Sequence, residues 1–343
     1  MGQQTPAPWI NVIANQEFGF FVSETGSGYT WSKNSGENRL TPWMNDPVSD
    51  PSGESLYLRD EITGSVWSPT PYPAGKGTDY LVTHGQGYTK FRSINHGFEQ
   101  SMLMFTDPDN PVKFIQLTLK NYTSKIRRLT ASYFAEWVLS SNRDKSKLFI
   151  VQSYDNESGV LMARNSYSTE FPDHVAFLAS DHPIHGLTTD RKEFLGMPGN
   201  RFYPEGLKRI GLSGQVESGI DPCAVLQSHL NFEPGEEKTI TFILGQEESQ
   251  QKAVALVREF NKPAMIENRF VKAKEKWDSL LNTLQVETPD QELDVILNRW
   301  LLYQAMSCRI WGRSAFYQSS GAYGFRDQLQ DITSILTINP EES

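Results

Sequence analysis

Thr239-Ile-Thr-Phe-Ile-Leu244 is a short stretch rich in β-branched and apolar residues. A few residues further on, Gln250-Gln-Lys-Ala-Val-Ala-Leu-Val-Arg-Glu-Phe260 places Val254, Val257 and Phe260 on one helical face. Between the two the apolar period changes from 2 to 3.6, and the fold class turns on that change. Before it, from Trp9 to about Gln246, short apolar or alternating segments are separated by Gly, Pro, Asn and Asp. Phe18 to Ser23, Leu56 to Arg59, Phe114 to Leu119, Leu129 to Val138 and Val160 to Ala163 read as strands. Asp107-Pro-Asp-Asn-Pro111 and Glu233-Pro-Gly-Glu236 read as turns. The length of this region predicts two large packed sheets.

After the change the chain reads as helices. Gln250 to Phe260 is followed by Ile266 to Leu284, with Phe270, Trp277, Leu280, Leu281 and Leu284 as its apolar positions. Thr288-Pro-Asp-Gln291 predicts a third helix capped by Thr288 with Pro289 first inside, its apolar face made of Leu293, Ile296, Leu297, Trp300 and Leu301. A fourth is expected from Phe325 to about Leu336. Four helices leave broad apolar faces without enough partners, so the helical part is expected to belong to a larger helical domain.

The 343 residues carry 38% hydrophobic and 21% charged positions, the composition of a folded protein. With 32 Lys+Arg against 41 Asp+Glu, a net charge of -9 and no basic block, nucleic acid is excluded as a partner class. Aromatics reach 12%, which suits stacking on sugar rings and equally suits a large sandwich core. The start of the chain lacks a leader pattern, and no apolar run has the length of a membrane span, so a cytoplasmic location is expected. Cys223 and Cys308 read as reduced thiols, and the sequons at Asn121 and Asn156 as chance matches.

Four segments carry candidate chemistry. The loop Gly28-Tyr-Thr-Trp-Ser-Lys-Asn-Ser-Gly-Glu-Asn-Arg-Leu-Thr-Pro-Trp-Met-Asn-Asp-Pro47 mixes aromatic, amide and carboxylate groups, with Trp31, Asn34, Trp43 and Asp46 as candidates for polyol contact; it reads also as a loop that packs on its own Trp residues. Around His84, the Pro-rich stretch Trp67 to Pro73 and the turn Gly85-Gln-Gly87 favour a satisfied histidine at a strand entrance. His182-Pro-Ile-His185 has the look of a metal pair with nothing to complete it, so no metal is expected. Neither a Gly-x-Ser-x-Gly elbow, a phosphate-binding loop nor a dinucleotide fingerprint occurs.

The fourth segment is Arg309 to Asp331. A glycine-rich turn, Gly321 to Gly324, delivers Phe325-Arg326-Asp327 to a helix start. A carboxylate beside a guanidinium can accept two hydrogen bonds from vicinal sugar hydroxyls, which makes Asp327 a candidate sugar clamp. A purely structural Asp favouring the helix dipole explains the same residues.

Gly324-Phe-Arg-Asp-Gln-Leu-Gln-Asp331 resembles the signature of glycoside hydrolase family 94, which contains cellobiose, cellodextrin and chitobiose phosphorylases and cyclic β-1,2-glucan synthases. The stretches Gly28 to Ser32, Asp46-Pro47, Tyr57-Leu-Arg-Asp60 and Trp67-Ser-Pro-Thr-Pro71 resemble its N-terminal motifs, so the similarity covers almost the whole chain. It implies a mainly β then α architecture: a β-supersandwich of the galactose mutarotase-like kind over 1–248, a helical linker over 249–286, and over 287–343 the first helices of an incomplete (α/α)6 barrel.

The resemblance also implies that Asp327 and Arg326 hold a glucosyl unit, with Arg313 and Gln330 nearby and the loop Trp31 to Asp46 walling the site. Cellobiose-type members carry Arg where this chain has Gly321, which favours a β-1,2-glucan over a β-1,4-glucan. The implied reaction is inverting phosphorolysis of a β-glucan oligosaccharide with inorganic phosphate as co-substrate and no cofactor. The general acid and phosphate site are expected beyond Ser343, in a homodimeric parent that for some synthases is membrane-embedded. The alternative is a non-catalytic carbohydrate-binding or structural sandwich module.

Overall fold

The computed structural model describes residue 5 and residues 7–75, 77–315, 317–320, 324–336 and 338–340, the side chain of 328 excepted. Three antiparallel sheets come first. A three-stranded sheet joins Ile10–Ala14, Phe18–Ser23 and Gly28–Ser32. A five-stranded sheet runs in the order Gly186–Asp190, Pro222–Phe232, Arg127–Glu136, Glu54–Asp60, Val66–Trp67. An eight-stranded sheet runs Ile150–Asp155, Val160–Asn165, Val175–Ser180, Glu237–Glu247, Val112–Asn121, Phe98–Thr106, Tyr88–Asn95, Tyr80–Gly85. Each stretch read as a strand from the sequence falls in one of these strands, except that the strand expected to reach Val138 ends at Glu136.

The main core lies between the large sheets. Ile115, Leu117 and Leu119 from the eight-stranded sheet share it with Leu129, Ala131 and Tyr133 and with Ala224 and Leu226 of the five-stranded one, and Phe18 and Phe20 of the small sheet join them. Alternate residues of these strands therefore face one interior, as the period of 2 requires. The other face of the eight-stranded sheet is covered by the helix Gln250–Phe260, whose Ala253, Leu256, Val257 and Phe260 pack with Phe114, Phe177 and Ile243.

The helix Pro263–Leu281 follows, starting earlier than its apolar pattern predicts because Pro263 occupies its first turn. It buries Ile266, Ala273, Trp277 and Leu281, and also Arg269, whose Nη2 donates to Asp107 at 2.6 Å and to Asp109 at 2.8 Å. Lys276 Nζ donates to the Pro108 carbonyl at 2.7 Å. The turn that separates two strands thus also anchors this helix. At Gly87, with φ +80°, an added Cβ would sit 2.5 Å from the Trp277 ring, so the hairpin turn is glycine because the indole lies against it.

The third helix is capped by Asp290, not Thr288. Asp290 adopts extended backbone and its carboxylate accepts from the Glu292 and Leu293 amides, whereas the Thr288 hydroxyl bonds Asp294 and the Asp290 carbonyl, which leaves Pro289 outside the helix. From Gln291–Val295 the helix continues to Trp311 through π-helical stretches at Ile296–Trp300 and Ala305–Trp311. Tyr303 and Ser307 fasten it to the first strand: the Tyr303 hydroxyl lies 2.8 Å from the Val12 carbonyl and 2.9 Å from Asn11 Oδ1, and Ser307 Oγ donates to the same carbonyl at 2.5 Å. A further helix spans Phe325–Ile335.

One ion pair sits at the meeting point of the three sheets. Lys113 Nζ donates to Glu54 Oε2 at 2.7 Å, with both side chains almost fully buried. Glu54 also accepts from Thr30 Oγ1 and Thr41 Oγ1, each at 2.6 Å, and from the Tyr133 hydroxyl at 2.7 Å. Burial pushes the Glu54 carboxyl up, but Lys113 and the two threonine hydroxyls outweigh it and hold the group below the usual carboxylate range. Its contribution to stability is therefore present above the unfolded value, about pH 4.3, and is lost as pH falls through the lower folded value. Lys113→Met, which strands the buried carboxylate, is expected to lower unfolding free energy by about 3–5 kcal/mol at neutral pH, read from the urea midpoint. A loss below about 1 kcal/mol would remove the pair from its structural role.

Candidate functional site

The helix Phe325–Ile335 begins at Gly324, whose φ of -70° is ordinary and whose missing side chain leaves the first turn without a side-chain cap. An added Cβ there would lie 2.6 Å from Asp327 Oδ2, so glycine is what lets the Asp327 carboxylate fold back over the helix start. Asp327 is the acidic residue of the first turn, where exposed amides favour an anion. Arg326 Nη2 stands 3.6 Å from Asp327 Oδ1; the arginine side chain is 86% and the aspartate 42% accessible. A carboxylate accessible to this degree, with a guanidinium alongside, can accept hydrogen bonds from a neutral polyol. Gln330 is exposed on the same helix. Gly321, the start of the expected glycine-rich turn, lies outside the described residues.

The helix is held from behind by Arg309, whose Nε and Nη2 both reach Asp331 Oδ2 at 2.8 Å. Arg313, favoured for the site by resemblance, is exposed with φ 45°, and its carbonyl accepts from Ser35 Oγ at 3.3 Å. Among the described residues, the arginine before the signature helix that is joined to it by a side-chain bond is Arg309.

The strand Gly28–Ser32 and the loop after it together grip Ser314 and Ser319, ahead of this helix. The Tyr29 hydroxyl lies 2.5 Å from Ser314 Oγ and 3.2 Å from Ser319 Oγ. Ser319 Oγ donates to the Ser35 carbonyl at 2.7 Å, and Arg39 Nε donates to Ser319 Oγ at 3.2 Å. Burial raises the Tyr29 phenol, with Ser314 and Ser319 opposing it, so Tyr29 serves as a neutral hydroxyl. Ser314 and Ser319 pair with each other as a short β-bridge.

The four loop residues singled out from the sequence take different places. Trp31 is 2% exposed and packs with Val12, Phe21 and Tyr29, so its ring offers no face to a sugar. Asn34 Oδ1 accepts from the Gly36 amide at 2.9 Å and the Glu37 amide at 3.0 Å, which makes it the closing group of a turn. Asp46 accepts from the Val48 and Ser49 amides and the Ser49 hydroxyl, and these bonds, the hydroxyl's first, hold its carboxyl below the usual range. Trp43 is half-buried with the Arg39 guanidinium 5.2 Å from its ring centroid.

His84 lies near the end of its strand with Nδ1 3.0 Å from Thr89 Oγ1, and burial lowers its pKa. His182 bonds Asp181 at 2.7 Å while His185 stacks on His229 with ring centroids 3.4 Å apart, so the two histidines of the His-Pro-Ile-His motif serve separate partners.

Residues 1–263 match the supersandwich domain of glycosyl hydrolase 94, and residues 276–343 match the catalytic domain of the glycosyl hydrolase 94 superfamily. The chain belongs to the glycosyl hydrolase 94 family. Cyclic beta-(1,2)-glucan synthase NdvB of Rhizobium meliloti (strain 1021) is 39% identical over 343 residues, covering 99% of this chain and 12% of that protein. N,N'-diacetylchitobiose phosphorylase of Vibrio proteolyticus is 27% identical over 346 residues, covering 98% of this chain and 43% of its own length. The chain thus spans less than half of each of these family members. A bacterial glucoamylase complexed with acarbose shares the fold at a TM-score of 0.55 and 11% identity, over 90% of this chain and 42% of that one. No helix among the described residues is long and apolar enough to cross a membrane.

The sandwich-to-helix contacts make a specific expectation. Tyr29→Phe removes the hydroxyl between Ser314 and Ser319 and is expected to cost about 1 kcal/mol. In hydrogen exchange the 313–320 amides should then exchange about fivefold faster while strand amides are unchanged. Equal acceleration throughout would show that the hydroxyl supports the sandwich generally.

Proposed function

We propose that this chain is the sugar-holding front part of an inverting glycoside phosphorylase or of the corresponding module of a cyclic glucan synthase, acting on β-linked glucans with β-1,2 linkages preferred. The observation that carries the reading is the accessible Asp327–Arg326 pair at a helix start, with the segment leading to it clamped by a sandwich loop. The linkage preference is supported by the 39% identity to a cyclic β-(1,2)-glucan synthase against 27% to a chitobiose phosphorylase.

In this reading residues 1–248 are the supersandwich, 249–286 a helical linker and 287–343 the beginning of an (α/α)6 barrel. The exposed apolar side chains Val295, Ile296, Leu301, Phe325 and Leu329 support the last part, because they need helical neighbours to cover them. Asp327 accepts hydrogen bonds from vicinal hydroxyls of the glucosyl unit, Arg326 adds a donor, and Arg309 positions the helix through Asp331. Gln330 and Arg313 stand at the edge of this subsite.

In the whole protein a carboxylic acid gives its proton to the glycosidic oxygen as the bond to the anomeric carbon breaks. Inorganic phosphate attacks that carbon from the opposite face, and an inverted sugar 1-phosphate leaves. Phosphate is already anionic, so no carboxylate is needed to deprotonate a water nucleophile. The proposed setting is a cytoplasmic homodimer, membrane-embedded where the module belongs to a synthase, with no cofactor and no nucleic-acid partner.

The test is calorimetric titration of this chain with β-1,2- and β-1,4-glucooligosaccharides. Asp327→Asn should weaken β-1,2-glucan binding about tenfold, the loss of one charge-assisted hydrogen bond. Unchanged affinity in that variant would leave a binding or structural sandwich module in place of a catalytic subsite.

A further inference from the structure

A cavity of ≈450 Å³ opens on the sandwich between residues 49–52, 72–73 and 198–202. Its volume lies within the about 300–1,000 Å³ of small-ligand pockets. A void inside the sandwich, at ≈20 Å³, and one between the sandwich and the helices at Trp277, at ≈10 Å³, have room for little more than a water molecule. Two aromatic rings stand in the wall of the larger cavity, Tyr72 and Phe202, with centroids 6.3 Å apart and planes at 60°.

Each wall is fastened to the sandwich. The Tyr72 amide donates to the Thr25 carbonyl at 2.9 Å, and Thr70 Oγ1 donates to the Tyr72 carbonyl at 2.6 Å. Asp50, itself 7% exposed, accepts from Ser23 Oγ at 2.7 Å and Thr25 Oγ1 at 2.5 Å. Asn200 Oδ1 accepts the amides of Phe202 and Tyr203 at 2.9 and 3.1 Å, and the Arg201 carbonyl accepts the Tyr57 hydroxyl at 2.8 Å. The pocket is therefore formed before anything binds, which keeps the ordering cost of binding small.

Its charges are already engaged. The Arg201 guanidinium donates to Glu136 at 2.5 Å, and the Asp50 carboxylate is held by the two hydroxyls. Arg201 shares Glu136 with Arg143 and Arg191, and its Nε lacks a partner among the described residues, but that atom is buried and Asp50 almost wholly so, which keeps both charges away from the open cavity. What the pocket offers is aromatic and proline surface with hydroxyl, amide and carbonyl groups at its edge, the chemistry that suits the C–H faces and hydroxyls of a neutral pyranoside. The loop that grips the 313–320 segment with Ser35 and Arg39 supplies residues 49–52 of this wall further along.

We propose that this cavity is a second glucan-binding subsite, separate from the Asp327 subsite, in which Tyr72 and Phe202 stack on a sugar unit. The proposal rests on the carbohydrate reading of the chain given above. It is tested by titrating the isotope-labelled chain with β-1,2-glucooligosaccharides and following backbone amide shifts. The amides of Ser52, Gly199 and Asn200 are expected to move, and to move equally in Asp327→Asn. Phe202→Leu keeps an apolar side chain at a position 55% exposed, so it should leave the melting temperature unchanged while weakening the affinity read at those amides about five- to tenfold. Shifts confined to residues 324–330 would overturn the second subsite and leave the proposed function standing. Absence of shifts at either place would overturn both, and undiminished binding by a folded Phe202→Leu would remove the stacking that the proposal requires.

Discussion

The structure depends on a charge pair placed where water does not reach. Glu54 comes from the five-stranded sheet, Lys113 from the eight-stranded sheet and Thr30 from the three-stranded one, so a single carboxylate holds three sheets in one relation. Desolvating such a pair is costly, and its attraction offsets that cost only when geometry is good and the other lone pairs are filled. Here Thr30, Thr41 and Tyr133 fill them, and the Phe20 ring lies 4.2 Å from the ammonium. A hydrophobic replacement could pack the same space, but it would not specify which strands meet. Hydrogen bonds have direction, and this network therefore selects a register as well as a stability.

That selection reaches the candidate site through Thr41. Its hydroxyl accepts the Thr30 amide at 2.8 Å while donating to Glu54, which sets where the loop beyond Ser32 returns to the sheet. From this fixed return the loop presents Ser35 and Arg39 to Ser319, while Tyr29 reaches Ser314 from the strand Gly28–Ser32 itself. The long helix ending at Trp311 is meanwhile pinned to Val12 by Tyr303 and Ser307. The approach to Ser314 is thus set by the first strand, and Ser314 and Ser319 are held by the strand Gly28–Ser32 and the loop after it. The helix that carries Asp327 is held by the Arg309–Asp331 bonds and by Ile332 and Ile335 packed with Trp277, Tyr303 and Met306, so the sandwich bears on it through the long helix that it pins at Val12.

How much of this is legible in the sequence depends on the range of the interaction. The strand Phe18–Ser23 and the helix Gln250–Phe260 begin and end where their apolar periods do, because each is decided by residues within a few positions. The cap of the third helix differs from its reading because Thr288, Pro289 and Asp290 all suit helix starts, and only the backbone shows which one turns outward. Arg309 bonding Asp331, and Ser314 and Ser319 bonding Tyr29 and Arg39, have no local signal: the serine partners lie 280 or more residues away and their hydroxyls are ordinary in any loop. The family signature locates the helix that carries Asp327, while what holds that helix can come only from the packed chain.

The aromatic residues make the same division in a form that bears on chemistry. A content of 12% is compatible with both sugar stacking and core packing, and the structure assigns Trp31, Trp67 and Trp137 with Tyr29, Tyr57 and Tyr133 to the interior. Trp67 is further committed by its indole bond to Gln100 at 2.9 Å. A buried ring cannot be drawn out to meet a ligand without leaving a cavity that costs about 3–5 kcal/mol. Stacking on a sugar therefore falls to rings already at the surface and already held in place. Trp43, half-buried against Arg39, and Tyr72 with Phe202 in the wall of the large cavity meet that condition. The tryptophan density of the first loop, which draws attention to it in the sequence, serves chiefly to build the platform from which the polar groups of that loop reach Arg313 and Ser319.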